Sequence, residues 1–435
     1  VWLLATAVAG GYPTSSEVVG VRRGLQLALP GLRGGAVLAG VALTAVQVRS
    51  ASVSLELVDS VVVDVDFCAT YAHNTGIQRV VRNTVPHWSA PHVLSAWSAD
   101  GTGYRRLTDE QRELVVNWRS GMPPTHKPTD AGPLLVPVGG SVLLPEVPAH
   151  GYIERLAAVA HFSGNDVGLI GYDAIPLVSA DSMDDAESDR FAHYLEIVKR
   201  STTISCISAT TADEFAAIGH SFAAQGLNGP VVRTLSLPEA RPTGLVATDR
   251  TRQRERPLVL MVGSLEPRKN QLGVLAAADI LWARGLDFEL QFIGGGSAWF
   301  LAIMEREVAA RRRQGYPVTV RTGASDTDLA AAYDAATVFA FPSLQEGYGL
   351  PIVEALATGT PVVTTNYGSM AEIALGGGCV TVDARDDDSI ADGIAALLED
   401  PLLRERLIAE ALARPSGTWS DYARELWNQL VGRDE

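Results

Sequence analysis

The sequence predicts an α/β protein of two tandem domains, each with a mainly parallel sheet. Three observations carry this. From about residue 58, short β-branched runs alternate with segments of helical period. Residues 238–256, "PEARPTGLVATDRTRQRER", then break the pattern with two prolines, many charges and no periodicity, as a linker does. A second alternation begins at 257, and 435 residues exceed what one core of ordinary size organises.

Taken in order, residues 1–55 form a segment ahead of the first domain. "VWLLATAVAGGYPTSSEVVGVRRGLQLALPG" is expected to make a strand, a loop and a helix. "GGAVLAGVALTAVQV" (34–48) is too short to span a bilayer unaided, lacks a signal-peptide cleavage pattern and is expected to be a packed helix. In the first domain, 56–240, strands are expected at 60–67, 142–145, 167–173, 202–208 and 231–237. Helices are expected at 73–88, after a glycine-containing turn, and at 189–200. The linker is assigned to 241–256. In the second domain, 257–415, strands are expected at 257–264, 288–295, 318–323, 337–343, 360–366 and 379–384. Helices are expected between them at 271–285, 299–314, 326–336 and 389–400. Residues 416–435 form a last helix, expected to pack back on the first domain. A ligand is expected between the strand ends of the two domains.

Composition narrows the function. Hydrophobic residues make up 47% and charged ones 20%, as in a folded protein. The formal charge of −15 argues against nucleic-acid binding along the surface but leaves room for a local basic pocket. Cys68, Cys206 and Cys379 lack zinc-ligand spacing, which implies reduced thiols and a cytoplasmic location. The chain begins at Val1, without methionine, as a fragment or trimmed chain would.

One stretch concentrates chemistry: "FPSLQEGYGLPIVEALATGTPVVTTN", residues 341–366. Pro351 suits a first helical turn and Gly359 suits a helix stop. Ile352, Val353, Ala355, Leu356 and Ala357 make the helix apolar nearly all round, hence buried. The glycines of Gly347-Tyr348-Gly349 let backbone approach a ligand, and the helix start is an anion site. Glu354 is then a carboxylate inside a buried helix and needs donors. Those donors are either a structural pair or the hydroxyls of a ribose, the latter worth about 1.5–3 kcal/mol to a charged acceptor. Arg268 and Lys269, in "VGSLEPRKNQ" (262–271), are either a solvated pair or the cations that neutralise a diphosphate.

With Glu346, Gly347, Tyr348, Gly349, Leu350, Pro351 and Glu354, the second domain resembles the retaining nucleotide-sugar glycosyltransferases of family 4 (group 1), which have the GT-B fold. "PSLQEGYGLP", "EALATGTPVV" and "GSLEPRKN" support the resemblance across 257–400; "NTGIQRVVR", "YDAIPL" and "CISATTADEF" extend it more weakly over 60–240. The resemblance implies two Rossmann-like domains facing each other across a cleft. It implies that Glu354 binds the donor ribose, that Glu346 lies by the transferred sugar, and that backbone N–H groups of Gly347, Tyr348, Gly349 and Leu350 hold sugar and phosphate oxygens. Lys269, with Arg268, would contact the diphosphate; Gly263 and Ser264 would line the donor; Gly76 would open a first-domain loop facing it. Ser264 stands where many members carry arginine, and Tyr172-Asp173 stands where relatives often have His-Asp. His73 or His161 is the candidate to replace that histidine.

Other patterns read as structural. Asp64-Val65-Asp66, on the first strand, resembles a metal motif of a different glycosyltransferase fold but is expected to be structural. Asp386, Asp387 and Asp388 are expected to cap a helix. "IGGGS" (293–297) is a strand-to-helix turn, and no Walker sequence or histidine-rich metal constellation occurs.

The resulting expectation is metal-independent, cofactor-free transfer of a sugar from a nucleoside-diphosphate sugar, GDP-mannose first, to an acceptor hydroxyl. The acceptor would be a glycan, a lipid-linked or a small molecule, as in polysaccharide assembly. No nucleic acid and no transmembrane span are expected, and peripheral membrane contact stays open. The alternative is a catalytically silent subunit that binds nucleotide-sugar or a partner protein.

Overall fold

The computed structural model describes residues 1–28, 35, 53–127, 132–183, 185–239 and 255–432. The chain divides into two compact units, one of Val1–Ile207, Ala212–Leu235 and Trp419–Glu435, the other of Ser208–Thr211 and Ser236–Thr418. Apart from Gly35, the run 34–48 lies outside the described residues, as does the linker except residues 255–256. No described helix is long and apolar enough to cross a membrane.

The first unit holds β1 (Leu55–Val58), β2 (Val61–Asp64), β3 (His92–Trp97), β4 (Tyr104–Arg106), β5 (Leu134–Pro137), β6 (Ser141–Leu144), β7 (Asp166–Gly171), β8 (Thr203–Cys206) and β9 (Val231–Thr234). Seven of them form one sheet in the order β4-β3-β2-β6-β7-β8-β9, while β1 and β5 make a separate parallel pair. Only β4 runs antiparallel, against β3. Every residue of β2 is buried, which is why a continuous valine run suits it. The expected strand 60–67 stops at Asp64, because both oxygens of Glu146 accept the N–H groups of Phe67 and Cys68, each at 2.8 Å, and start the helix Asp66–Thr70.

The N-terminal segment differs from expectation. Trp2–Ala9 is a helix, not a strand, and Ser15–Leu27 is a second one. Alanine and leucine favour a helix, and the run has no period-two alternation. Tyr12, in the loop between them, anchors the segment. Its hydroxyl donates to the Leu135 carbonyl at 2.5 Å, and its ring packs edge-on against Trp97 and Tyr104.

Of the expected helix 73–88, Gly76–Thr84 is α-helical and Val85–His87 is a 3-10 turn at Pro86. Arg82 is buried on this helix. It donates to the carbonyls of His73, Tyr71 and Cys68 at 2.6, 2.6 and 3.2 Å, and lies over the Trp118 ring. One guanidinium thus holds the loop before Gly76. Arg82→Leu is expected to lower stability by about 3 kcal/mol, since the carbonyls lose charged donors. A urea unfolding midpoint equal to wild type would contradict this.

The second unit holds β10 (Leu258–Val262), β11 (Glu289–Ile293), β12 (Val318–Arg321), β13 (Val338–Phe341), β14 (Val362–Thr365) and β15 (Cys379–Val382). All pairs are parallel, in the order β12-β11-β10-β13-β14-β15. Counted from β10 this is 3-2-1-4-5-6, the Rossmann order, whose reversal between β10 and β13 opens a crevice at the carboxyl ends of those strands. Asp386 caps the helix Asp387–Glu399 by accepting from Asp388 N–H at 3.0 Å. The "IGGGS" turn is a close approach of backbone to backbone: a Cβ on Gly294 would lie 1.7 Å from the Gly263 carbonyl oxygen.

Candidate active site

Two loops leave the carboxyl ends of β10 and β13 and meet at the reversal point. The first, 263–270, contains the 3-10 turn Pro267–Lys269; the second, 342–349, leads into the helix Leu350–Ala357. They are laced together: Leu344 N–H donates to the Arg268 carbonyl at 2.8 Å, and Ser343 Oγ lies 3.1 Å from the same oxygen.

At the junction lies Glu346, its side chain 9% exposed. Lys269 Nζ donates to its two oxygens at 2.6 and 2.8 Å, and Ser343 Oγ donates to it at 2.6 Å. Arg268 Nη1 lies 3.2 Å away. Burial alone would push this carboxyl up; Lys269 and then Arg268 outweigh it and hold Glu346 below its ordinary value. Arg268 also pairs with Glu266 at 2.7 Å, so two cations face two carboxylates. Ser264 donates to the same Glu266 at 2.8 Å. The expected cationic pair is therefore engaged internally, and a bound anion must exchange with these partners.

The turn itself is fixed. Gly349 has φ 121°, a conformation that side chains resist, and a Cβ there would press on Ile352 at 3.1 Å. Pro351 has no N–H and Ile352 N–H is used on the Gly349 carbonyl, so neither offers a spare backbone donor. Glu354, one helical turn on, is buried and accepts from the Tyr333 hydroxyl at 2.9 Å.

Residues 248–414 match the family of glycosyl transferases group 1. O-antigen chain mannosyltransferase B of Escherichia coli is 34% identical over 158 residues, 36% of this chain and 40% of that protein. The GDP-mannose-dependent alpha-(1-6)-phosphatidylinositol monomannoside mannosyltransferase of Mycolicibacterium smegmatis is 33% identical over 190 residues, 40% of this chain and 49% of that one. The chain thus spans less than half the length of these two curated relatives. The crystal structure of Anabaena HepE in complex with UDP and glucose is similar with a TM-score of 0.61 at 12% identity, covering 86% of this chain and all of that one. The fold is GT-B, and residues 248–414, most of the second unit, are similar to group 1 glycosyl transferases.

Within the matched region, Gly263, Ser264, Arg268, Lys269 and Glu346 to Leu350 come together on the two loops, and Glu354 lies behind them. Gly76 belongs to the first unit, at the start of the helix Gly76–Thr84; a Cβ there would meet nothing within 4 Å, so packing does not demand the glycine. Tyr172 is a core residue whose hydroxyl donates to the Pro145 carbonyl at 2.7 Å. His161 cannot take the place of a histidine beside Asp173. It lies in the last turn of the helix Ile153–Phe162, which leads into the start of β7, the strand end opposite to the carboxyl end that Asp173 follows. His73 lies in the loop held by Arg82.

Sequence reading missed several supports. The hydroxyls of Ser208 and Thr211, in the short stretch that folds with the second unit, donate to the Gly347 carbonyl at 2.7 and 3.1 Å. Glu372 accepts from the N–H groups of Ala209 and Thr210 at 2.9 and 2.6 Å. Tyr348 donates to the Leu237 carbonyl at 2.8 Å, and Ser369 to that of Glu346 at 2.8 Å. Lone hydroxyls carry no spacing signature; the cluster "CISATTADEF" was the one available signal.

Proposed function

We propose that the protein is a retaining, family 4 glycosyltransferase that moves a sugar from a nucleoside-diphosphate sugar to an acceptor hydroxyl. The observation that carries this is Glu346, held charged by Lys269 and Arg268 at the β10–β13 reversal, directly before a glycine turn in the matched domain. The acceptor oxygen attacks the anomeric carbon and the bond from that carbon to the phosphate oxygen breaks. The electron pair leaves on the diphosphate, and the acceptor proton passes to a phosphate oxygen. Lys269, Arg268 and the turn 347–350 stabilise the leaving charge without a metal or cofactor, because fixed cations and dipoles suffice. Glu346 contacts the sugar hydroxyls and supports positive charge near the anomeric carbon.

GDP-mannose is the donor we favour, in line with the named activities of the mannosyltransferase relatives. The acceptor is a glycan, lipid-linked or small-molecule hydroxyl in polysaccharide assembly, and the reaction is cytoplasmic. A thermal-shift panel of GDP-, UDP-, ADP- and dTDP-sugars tests the donor, since a ligand of the native state raises the midpoint. GDP-mannose should give the largest rise; an equal rise with every sugar nucleotide, or none, would remove this donor. Binding without any turnover would instead favour a silent subunit.

Glu354 is assigned to the ribose. Glu354→Ala should weaken donor binding by about 1.5–3 kcal/mol from loss of charge-assisted bonds. Calorimetric titration checks this, with Tyr333→Phe as a control that removes one internal donor and leaves the carboxylate. Unchanged donor affinity in a folded Glu354→Ala variant would sink the ribose assignment.

A further inference from the structure

Outside the matched region, three metal-ligating side chains converge on the first unit. His150 opens the 3-10 turn His150–Tyr152 beyond β6. Asp189 and His193 stand four residues apart on the helix Asp185–Val198 beyond β7, a spacing that puts both on one face. One ligand atom from each lies within 4.8 Å of the other two, and all three residues are exposed. The two imidazoles lie edge to face with centroids 4.9 Å apart.

A second observation sets the chemistry of one ligand. His193 Nδ1 is 2.9 Å from the backbone carbonyl oxygen of Asp189. A carbonyl only accepts, so Nδ1 carries a hydrogen, and in this tautomer the lone pair lies on Nε2. A histidine oriented through one nitrogen by a carbonyl, with the other nitrogen available, is the usual outer-shell arrangement of a metal ligand.

We propose that His150, Asp189 and His193 form a site for a divalent transition metal of the zinc class. Two imidazole nitrogens and one carboxylate oxygen suit Zn2+, whereas Mg2+ and Ca2+ favour all-oxygen shells. Bond lengths of about 2.0–2.2 Å require the donors to draw closer than they stand. Exposed side chains can do this by rotation alone. Three protein ligands leave a fourth position for water. The ion would tie the connection after β6 to the helix after β7, and so stabilise the first unit. None of its ligands is assigned to the donor, so the site goes beyond the proposed transfer reaction and is independent of it.

The test is calorimetric titration of the EDTA-treated, dialysed full chain with ZnCl2, alongside thermal shift and the absorption of bound Co2+. The expected result is one saturable Zn2+ per chain, a raised melting midpoint, and affinity at least tenfold lower in both His150→Ala and His193→Ala. Asp189→Asn should weaken binding less, and His220→Ala should leave it unchanged. Absence of saturable binding, affinity unaltered in His150→Ala and His193→Ala, or Mg2+ binding as tightly as Zn2+, would each overturn the proposal.

Discussion

Glu346→Gln is expected to lower turnover of the donor by about 10²–10³-fold and to destabilise the second unit by about 3–5 kcal/mol. Both effects come from one contact set. The side chains of Glu346, Lys269 and Arg268 are 9, 11 and 13% exposed, so the ion cluster is largely desolvated. Removing the carboxylate leaves Lys269 buried beside a neutral amide, and uncompensated buried charge is costly. A double variant, Glu346→Leu with Lys269→Met, removes both charges and should recover part of the stability but no turnover. That combination separates catalysis from folding: full activity in the double variant would show that the cluster is only structural. The pH response has a definite sign. Glu346 is held below its ordinary carboxyl value, so its contribution is present above that value and is lost as pH falls through the lower folded value.

The carboxylates of the first unit predict the opposite response, and a large one. Asp64 accepts from Tyr104 Oη at 2.8 Å and Trp97 Nε1 at 3.2 Å. Burial, then Asp66 and Glu146, raise it from 3.8 to about 8. Burial raises Glu146 from 4.5 to about 7, against the hydrogen bonds from Cys68 and Phe67. Both folded values lie above the unfolded ones, so the native state keeps protons that the unfolded chain has released. Stability from these groups is fully present below the unfolded values and is lost as pH rises through about 4 to 8. Urea midpoints of the first unit should therefore fall between pH 5 and pH 8, and Asp64→Asn should flatten the fall. A midpoint that rises over this range in the wild type would contradict the burial of these protons. Asp66, salt-bridged to Lys127 at 2.7 Å, completes the cluster. The Asp-x-Asp pattern is thus spent on the chain's own donors, as the structural reading expects.

The second unit was the legible half. Its strands β13 and β14 are buried at every position, so they appear as unbroken runs such as "VFAF" and "VVTT" between glycine- and proline-bearing turns. The first unit was harder. "WLLATAVA" is apolar without alternation, and β1, β4 and β5 are three or four residues long, below the length at which periodicity speaks. For the site, Glu346 and Lys269 lie 77 positions apart and meet because β10 and β13 are neighbours across the sheet reversal. Residue spacing alone cannot show that; the resemblance places both residues near the donor but implies no pairing between them. Arg82 lies within the expected helix 73–88, and only the folded loop shows that three carbonyls converge on it.

The most direct test of the central claim is release of nucleoside diphosphate from GDP-mannose by the full chain, measured with and without Glu346. The account predicts slow, saturable release in the wild type, lost in a folded Glu346→Gln variant. Release that persists undiminished in that variant, or no release and no binding with any sugar nucleotide of the panel, would contradict it.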